Sequence, residues 1–260
     1  MTLTLKDMAP EGIMIAGGGR AILLQIAHPG VGYGVVQHSN FAKDPLKRLH
    51  GTLTYIYALT NGTPRQAAKV VEWVSKAHQP VRSAGGDDHP AYDARDPELQ
   101  LWVAATLYDS AILVYENMFG PLNRADAENI YREYALLGTA LGMPKDRWPG
   151  SPAEFRDYWY DAAARLRVDP RVREVAAQLM RPRNVPLYLR ALMPIARTLT
   201  AGMLPAQLRE AYGPEVFRGA YGTRQDLEYR ALIASCGVVL PKIPLAVRHA
   251  PMRHYLSRLR

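Results

Sequence analysis

Residues 44–80, DPLKRLHGTLTYIYALTNGTPRQAAKVVEWVSKAHQP, write two helices and the break between them. Asp44-Pro45 and Thr63-Pro64 each set a side-chain acceptor before a proline at the first helical position, where the missing N–H costs no hydrogen bond. Leu46, Leu49, Leu53 and Ile56 recur at helical spacing, which predicts a helix over 44–60 with Arg48, Thr52 and Tyr55 on a face beside that stripe. A second helix is predicted over 64–79, ending on a lone histidine, His78, just before Pro80. Two readings of His78 stay open on this pattern. A histidine in the last turn suits the negative end of the helix macrodipole. A buried imidazole facing a guanidinium and a hydroxyl on the next helix is also how an all-helical protein holds a haem iron. Arg48 and Thr52 have a matching alternative as a partly solvated stripe.

The same start signature recurs at Asp96-Pro97, Ser151-Pro152 and Asp169-Pro170, and Ser151 with Glu154 predicts a capping box. Further helices are expected over 17–28, 97–119, 124–141, 152–167, 170–180, 186–201, 205–212 and 224–239, and no run alternates with period two. The expected fold class is therefore all-α, as one domain over residues 1–260, with Arg181-Pro182-Arg183 the candidate hinge. Trp102 to Val114 is apolar nearly all round and predicts a central buried helix. Within it Thr106, Asp109 and Ser110 form a short polar line. An unpaired buried carboxylate is costly, so Asp109 requires a partner, either in a core-ordering salt bridge or as an anchor behind a site.

The composition, 48% hydrophobic and 22% charged over 260 residues, is that of an ordinary globular chain. One cysteine, Cys236, excludes an internal disulfide and a Cys-rich zinc site, and fits a reducing, cytoplasmic compartment. No signal sequence is visible at the N-terminus, and every long apolar stretch is interrupted by charge or proline before it reaches a spanning length. The net charge of +8 is unevenly placed. Residues 181–260 carry 13 Lys/Arg against 4 Asp/Glu, and the remainder is close to neutral. Nucleic acid is the weakest of the partners such a section fits, because no RNA-binding signature, zinc-finger spacing or basic-zipper pattern is present, although pattern alone leaves a helix-turn-helix open. Between Pro186 and Leu204, Leu189, Leu192, Met193, Ala196 and Leu199 form an apolar stripe with Arg190 and Arg197 on another face. This basic amphipathic helix suits either a peripheral contact with an anionic membrane or a core helix with its arginines in water.

Several chemistries are absent. Gly17-Gly18-Gly19 and Gly30-x-Gly32-x-Gly34 complete neither a dinucleotide fingerprint nor a phosphate loop. No G-x-S-x-G, H-E-x-x-H or paired E-x-x-H occurs, which argues against a serine hydrolase, a zincin and a ferritin-like di-iron centre. What is present is an ordered series: Gly19-Arg20, Leu23-Leu24-Gln25, Ala27-His28-Pro29, His38-Ser39-x-Phe41, Asp44-Pro45, Arg48-Leu49-x-x-Thr52, His78-x-x-Val81, Asp96-Pro97, and Trp102-Val103-x-Ala105-Thr106-Leu107-x-Asp109-Ser110. Over residues 17–160 this series closely resembles the oxygenase family that joins the bacterial latex-clearing rubber oxygenases to the fungal endoplasmic-reticulum oxygenase MpaB of mycophenolic acid biosynthesis.

The resemblance implies a globin-like helical core, with additional helices around a pocket for one b-type haem, and dioxygen chemistry on a hydrophobic, isoprenoid small molecule, with oxidative C=C cleavage as the specific reaction. By position, His78 matches the proximal iron ligand, and Arg48 and Thr52 match distal-side residues. Rubber oxygenases carry a lysine directly before that threonine that can occupy the distal iron position; here the residue is Gly51, which leaves that side open. His28 and His38 are candidate pocket residues able to shuttle protons, with hydrogen-bonded structural roles as the alternative. Arg20 and Arg82 are candidates for the haem propionates, or else partners of Asp87, Asp88 or Asp109. Because kinship of fold does not define a reaction, a haem-binding sensor, carrier or peroxidase-like redox protein stands beside the oxygenase reading. A helical protein that docks through its basic C-terminal section is the third expectation. The sequence does not name the substrate or an electron donor.

Overall fold

The computed structural model describes residues 2–38 and 45–259. In chain order it forms α1 (Leu5–Met8), a 3-10 segment (Gly12–Gly17), α2 (Gly18–Ala27), α3 (Pro29–His38), α4 (Pro45–Asn61) and α5 (Pro64–His78). A short antiparallel hairpin, β1 (Arg82–Ser83) with β2 (Tyr92–Asp93), pairs Arg82 with Asp93 and Ser83 with Tyr92. Then come α6 (Pro97–Phe119), α7 (Arg124–Tyr134), α8 (Leu136–Thr139), α9 (Pro152–Ala164), α10 (Pro170–Met180), α11 (Leu187–Met203), α12 (Ala206–Tyr212), α13 (Pro214–Phe217), α14 (Thr223–Val239), α15 (Leu245–Arg248) and α16 (Ala250–Ser257). The fold is all-α, as the periodicity predicts.

The proline starts work as the sequence suggests. Asp96 accepts from Glu98 N and Asp169 from Arg171 N, both at 2.8 Å, which satisfies amides that the first helical turn leaves free. Asp44 lies outside the described residues. The predicted box at Ser151 is half formed: Ser151 Oγ accepts from Glu154 N, but the Glu154 carboxylate reaches one residue further back, to Gly150 N at 3.0 Å. Complete boxes form at Thr63, whose hydroxyl accepts from Gln66 N while Gln66 Oε1 accepts from Thr63 N, and at Thr4 with Asp7.

Helix α6 is the centre of the packing. Leu101, Ala104 and Ala105 face a core containing Tyr55, Ala58, Val70, Tyr131 and Phe155, and Trp102 faces a second core with Leu23, Leu24, Ile26, Val172 and Tyr212. Near its C-terminal end Val114 and Met118 meet Met203 of α11. Helix α2 lies along α6, and the indole N–H of Trp102 donates to the Leu24 carbonyl at 3.3 Å.

Helix α3 runs through Gly30, Gly32 and Gly34, a composition that disfavours helix, and was not expected from the sequence. A Cβ on Gly32 would stand 2.4 Å from the Ile26 carbonyl oxygen and 2.9 Å from Val172, so the glycine lets α3 approach α2 and α10 closely. His38 is the last residue of this helix. The stretch 124–141 breaks at Ala135 into α7 and α8.

The C-terminal segment straps across the N-terminal elements. Glu11 is buried and holds both Arg248 Nη1 at 3.0 Å and His249 Nε2 at 3.1 Å. Further on, Tyr255 packs against Tyr57 and His50 of α4, and Gln66 of α5 donates to the Leu256 carbonyl.

Candidate functional site

Helices α4 and α5 form an antiparallel pair about the Gly62-Thr63 turn, so the first turn of α4 meets the last turn of α5. That register brings Arg48 beside His78. The His78 imidazole is partly buried and makes no hydrogen bond among the described residues. Burial lowers its pKa below the ordinary histidine value, and the Arg48 charge lowers it further, so it is held neutral, the form that ligates metals.

Arg48 is the more unusual group. Burial pushes its guanidinium down to about 10, and among the described residues no carboxylate pairs with it. Its Nη2 donates to Gln25 Oε1 at 3.2 Å; Gln25 Nε2 donates to Thr106 Oγ1 at 3.1 Å; and Thr106 donates to the Val103 carbonyl at 2.8 Å. A chain of neutral acceptors thus orients a buried cation without neutralising it. Thr52 lies one turn along α4 from Arg48 and is partly buried. Tyr55, the third residue of the predicted face, does not join them: its hydroxyl donates to the Leu137 carbonyl at 2.6 Å inside the core. A side chain at Gly51 would point toward α5, where its Cβ would meet the Trp73 ring at 3.4 Å.

The polar line on α6 serves two arginines, a turn apart. Thr106 anchors Gln25 and through it Arg48, whereas Asp109 and Ser110 take Arg20. The Arg20 guanidinium forms an ion pair with Asp109 at 2.5 Å, donates to Ser110 Oγ at 2.8 Å and donates through Nε to the Met203 carbonyl at 2.8 Å. With all three nitrogens engaged and the side chain buried, Arg20 is a tie between α2, α6 and α11. Arg82 sits exposed on the hairpin.

His28 ends α2 with an extended backbone, ψ 123°, as the following proline demands. Its ring lies 6.1 Å from that of Trp102, its Nδ1 is buried with no partner, and burial, then Arg165, lowers its pKa. His38 is exposed and hydrogen-bonds the Tyr92 hydroxyl at 3.1 Å, pinning the end of α3 to the hairpin. Neither is seen in contact with His78 or Arg48. Gln25 is the residue that sequence reasoning left without a role. The available signal was an amide within the apolar run Ala21–Ala27, where a buried polar group must be hydrogen-bonded.

Fold and site together define an all-α protein whose distinguishing feature is a partly buried imidazole set beside a guanidinium that no carboxylate among the described residues pairs. The catalytic-domain family described as ER-bound oxygenase mpaB/B'/Rubber oxygenase matches residues 5–236, and the chain belongs to that family. Two mycobacterial proteins are similar to it over 193 residues at 37% identity, covering 72% of this chain and 75% of each relative: the uncharacterized protein Rv2237 of Mycobacterium tuberculosis and the uncharacterized protein Mb2261 of Mycobacterium bovis. No solved structure matches the chain. The family match extends past residues 17–160 in both directions and stops short of the α15–α16 strap.

Proposed function

We propose that this chain is a haem-dependent oxygenase, with His78 as the protein ligand to the iron and Arg48 and Thr52 on the side where oxygen reacts. The observation that carries the reading is the pairing of a partly buried imidazole, held neutral, with a guanidinium whose charge burial disfavours; among the described residues the first has no hydrogen-bond partner and the second no carboxylate. Among the described residues no three His, Cys, Asp or Glu side chains gather into a metal-binding group, so the donor set here is one imidazole, which suits an iron carried by a macrocycle. The only cysteine, Cys236, is on α14, and no C-x-x-C-H is present, so the haem would be a non-covalent b-type.

When bound, the haem would supply the iron that activates dioxygen. The chain's own residues supply the rest. His78 presents a deprotonated ring nitrogen. Arg48 offers a fixed positive charge and N–H donors where negative charge develops on oxygen, preorganised by Gln25 and Thr106 so that little reorganisation is needed. Thr52 adds a hydroxyl one turn away. The proposed substrate is a hydrophobic, isoprenoid small molecule. The proposed reaction is oxidative cleavage, in which one dioxygen converts one C=C bond into two carbonyl groups.

The test begins with the absorption spectrum of protein expressed with iron and a haem precursor. The reading expects one haem per chain, lost in His78→Ala and kept in His50→Ala, whose ring packs against Tyr255 instead. Full haem content in His78→Ala refutes the ligand assignment. A haem-loaded protein that consumes no oxygen with isoprenoid alkenes is instead a sensor, carrier or peroxidase-like redox protein.

A further inference from the structure

Nine of the large hydrophobic side chains that stand exposed fall within residues 187–247, against three (Trp73, Leu136 and Tyr160) in the rest of the described chain. They are not scattered. On α11, Leu189, Met193, Ala196 and Leu199 are turned inward, while Leu187, Tyr188, Leu192 and Ile195 lie in solvent, the first two at 77% and 66% exposure. At 3.6 residues per turn these four span roughly 140° of the helix circumference. The apolar stripe of the sequence is thus the packed face, and a second apolar face, sharing Leu192, is left open.

Helix α14 repeats the pattern. Tyr229, Ile233 and Cys236 pack toward Met203 and Val114, yet Leu227, Ala231, Ala234 and Val238, also at helical spacing, are all exposed. A helix that is apolar on two opposite faces has a second surface to cover. Both helices rest on the layer formed by α2, α6 and the 3-10 segment, and they contact each other, Gly202 against Tyr229. Their outer faces lie on the side away from that layer, and exposed Val239 follows Val238 at the end of α14.

The charge around this patch selects its occupant. Arg181, Arg183, Arg190 and Lys242 are exposed and have no carboxylate partner among the described residues. Arg197 lies one turn from Met193, and its pKa is lowered by burial and then by Arg218 and Arg181, placing three guanidiniums close together. Residues 181–260 carry an excess of nine positive charges. A second copy of this chain would bring that excess against itself. An anionic lipid surface offers both apolar depth and dispersed negative charge.

We infer that the outer faces of α11 and α14 dock on an anionic phospholipid surface, with Leu187, Tyr188, Leu192, Ile195 and Val238 entering the headgroup–acyl boundary and the flanking arginines meeting phosphates. No described helix is long and apolar enough to cross a membrane, so this is a peripheral contact. It does not depend on the oxygenase reading.

Flotation of the full chain with phosphatidylcholine vesicles, with and without phosphatidylglycerol, tests it. Retention is expected only with phosphatidylglycerol, and it should weaken in high salt. Leu192→Asp with Ile195→Asp, and separately Arg183→Glu with Arg190→Glu, should each lower retention by about tenfold or more. Both pairs are exposed, so helical content and Tm should match the parent. No retention on anionic vesicles overturns the inference. So does retention unchanged in the aspartate pair, which means electrostatic adsorption alone. Concentration-dependent dimers in sedimentation that the aspartate pair dissolves, without vesicle binding, assign the face to a second copy instead.

Discussion

Replacing Arg48 with methionine separates a guanidinium kept for a ligand from one kept for the fold. Burial pulls the Arg48 guanidinium down to about 10, so the folded site disfavours its charge by about 3–4 kcal/mol, at about 1.4 kcal/mol for each tenfold in acidity. Against this stands one described hydrogen bond, to Gln25 at 3.2 Å. That is long for a charge-assisted bond, usually about 2.7–2.9 Å, which puts its contribution near 1.5 kcal/mol. Leaving Gln25 Oε1 without its donor costs about 1–2 kcal/mol more. These effects nearly cancel, so Arg48→Met in the haem-free protein should change stability by less than about 1.5 kcal/mol in either direction. Arg20→Met is the control. It breaks an ion pair at 2.5 Å and two further bonds and strands Asp109, a loss of about 3 kcal/mol even with Asp109 partly in water. Urea unfolding of both variants measures the difference. In Arg48→Met the His78 pKa, followed by NMR, should also rise, because a lowering charge is gone. If Arg48→Met costs as much as Arg20→Met, Arg48 is part of the scaffold and the site is wrongly placed.

Two other outcomes are expected. Burial is the first cause of the lowered His78 and His28 pKa values, so between those values and 6.5 the unfolded chain binds more protons than the folded one. Stability should therefore rise with pH through that window and level off above it; urea midpoints at pH 5, 6 and 7 should show a slope that His78→Gln makes shallower, and an unchanged slope contradicts the shift. At Gly19, a Cβ would stand 2.1 Å from Thr200 Oγ1, so Gly19→Ala should cost about 1–3 kcal/mol by pushing α11 off α2. Adding Thr200→Ala should recover part of the loss in Tm, and no recovery would mean that the strain lies elsewhere.

Local chemistry made much of the helical framework legible in advance. Prolines at 64, 97, 152 and 170, each after a side-chain acceptor, begin helices where written, because a cap and a missing N–H act within one turn of chain and need no distant partner. The same reasoning placed α4, α11 and α14 from their apolar spacing and set Arg48 and His78 on neighbouring helices. It failed at α3, where three glycines argue against helix and only the close approach to Ile26 and Val172 explains them. It also joined α7 to α8, since nothing in the local pattern marks the break at Ala135. Which polar residues meet was settled by packing. The line Thr106, Asp109 and Ser110 was visible on α6, yet its division between Gln25 and Arg20 depends on how α2 lies across α6, a relation spanning more than eighty residues of chain. Likewise, the amphipathic spacing of α11 has one phase that faces the core and another that faces out, and periodicity cannot say which neighbours will cover either. That requires the burial of each side chain, a property of the assembled layers and not of the helix alone.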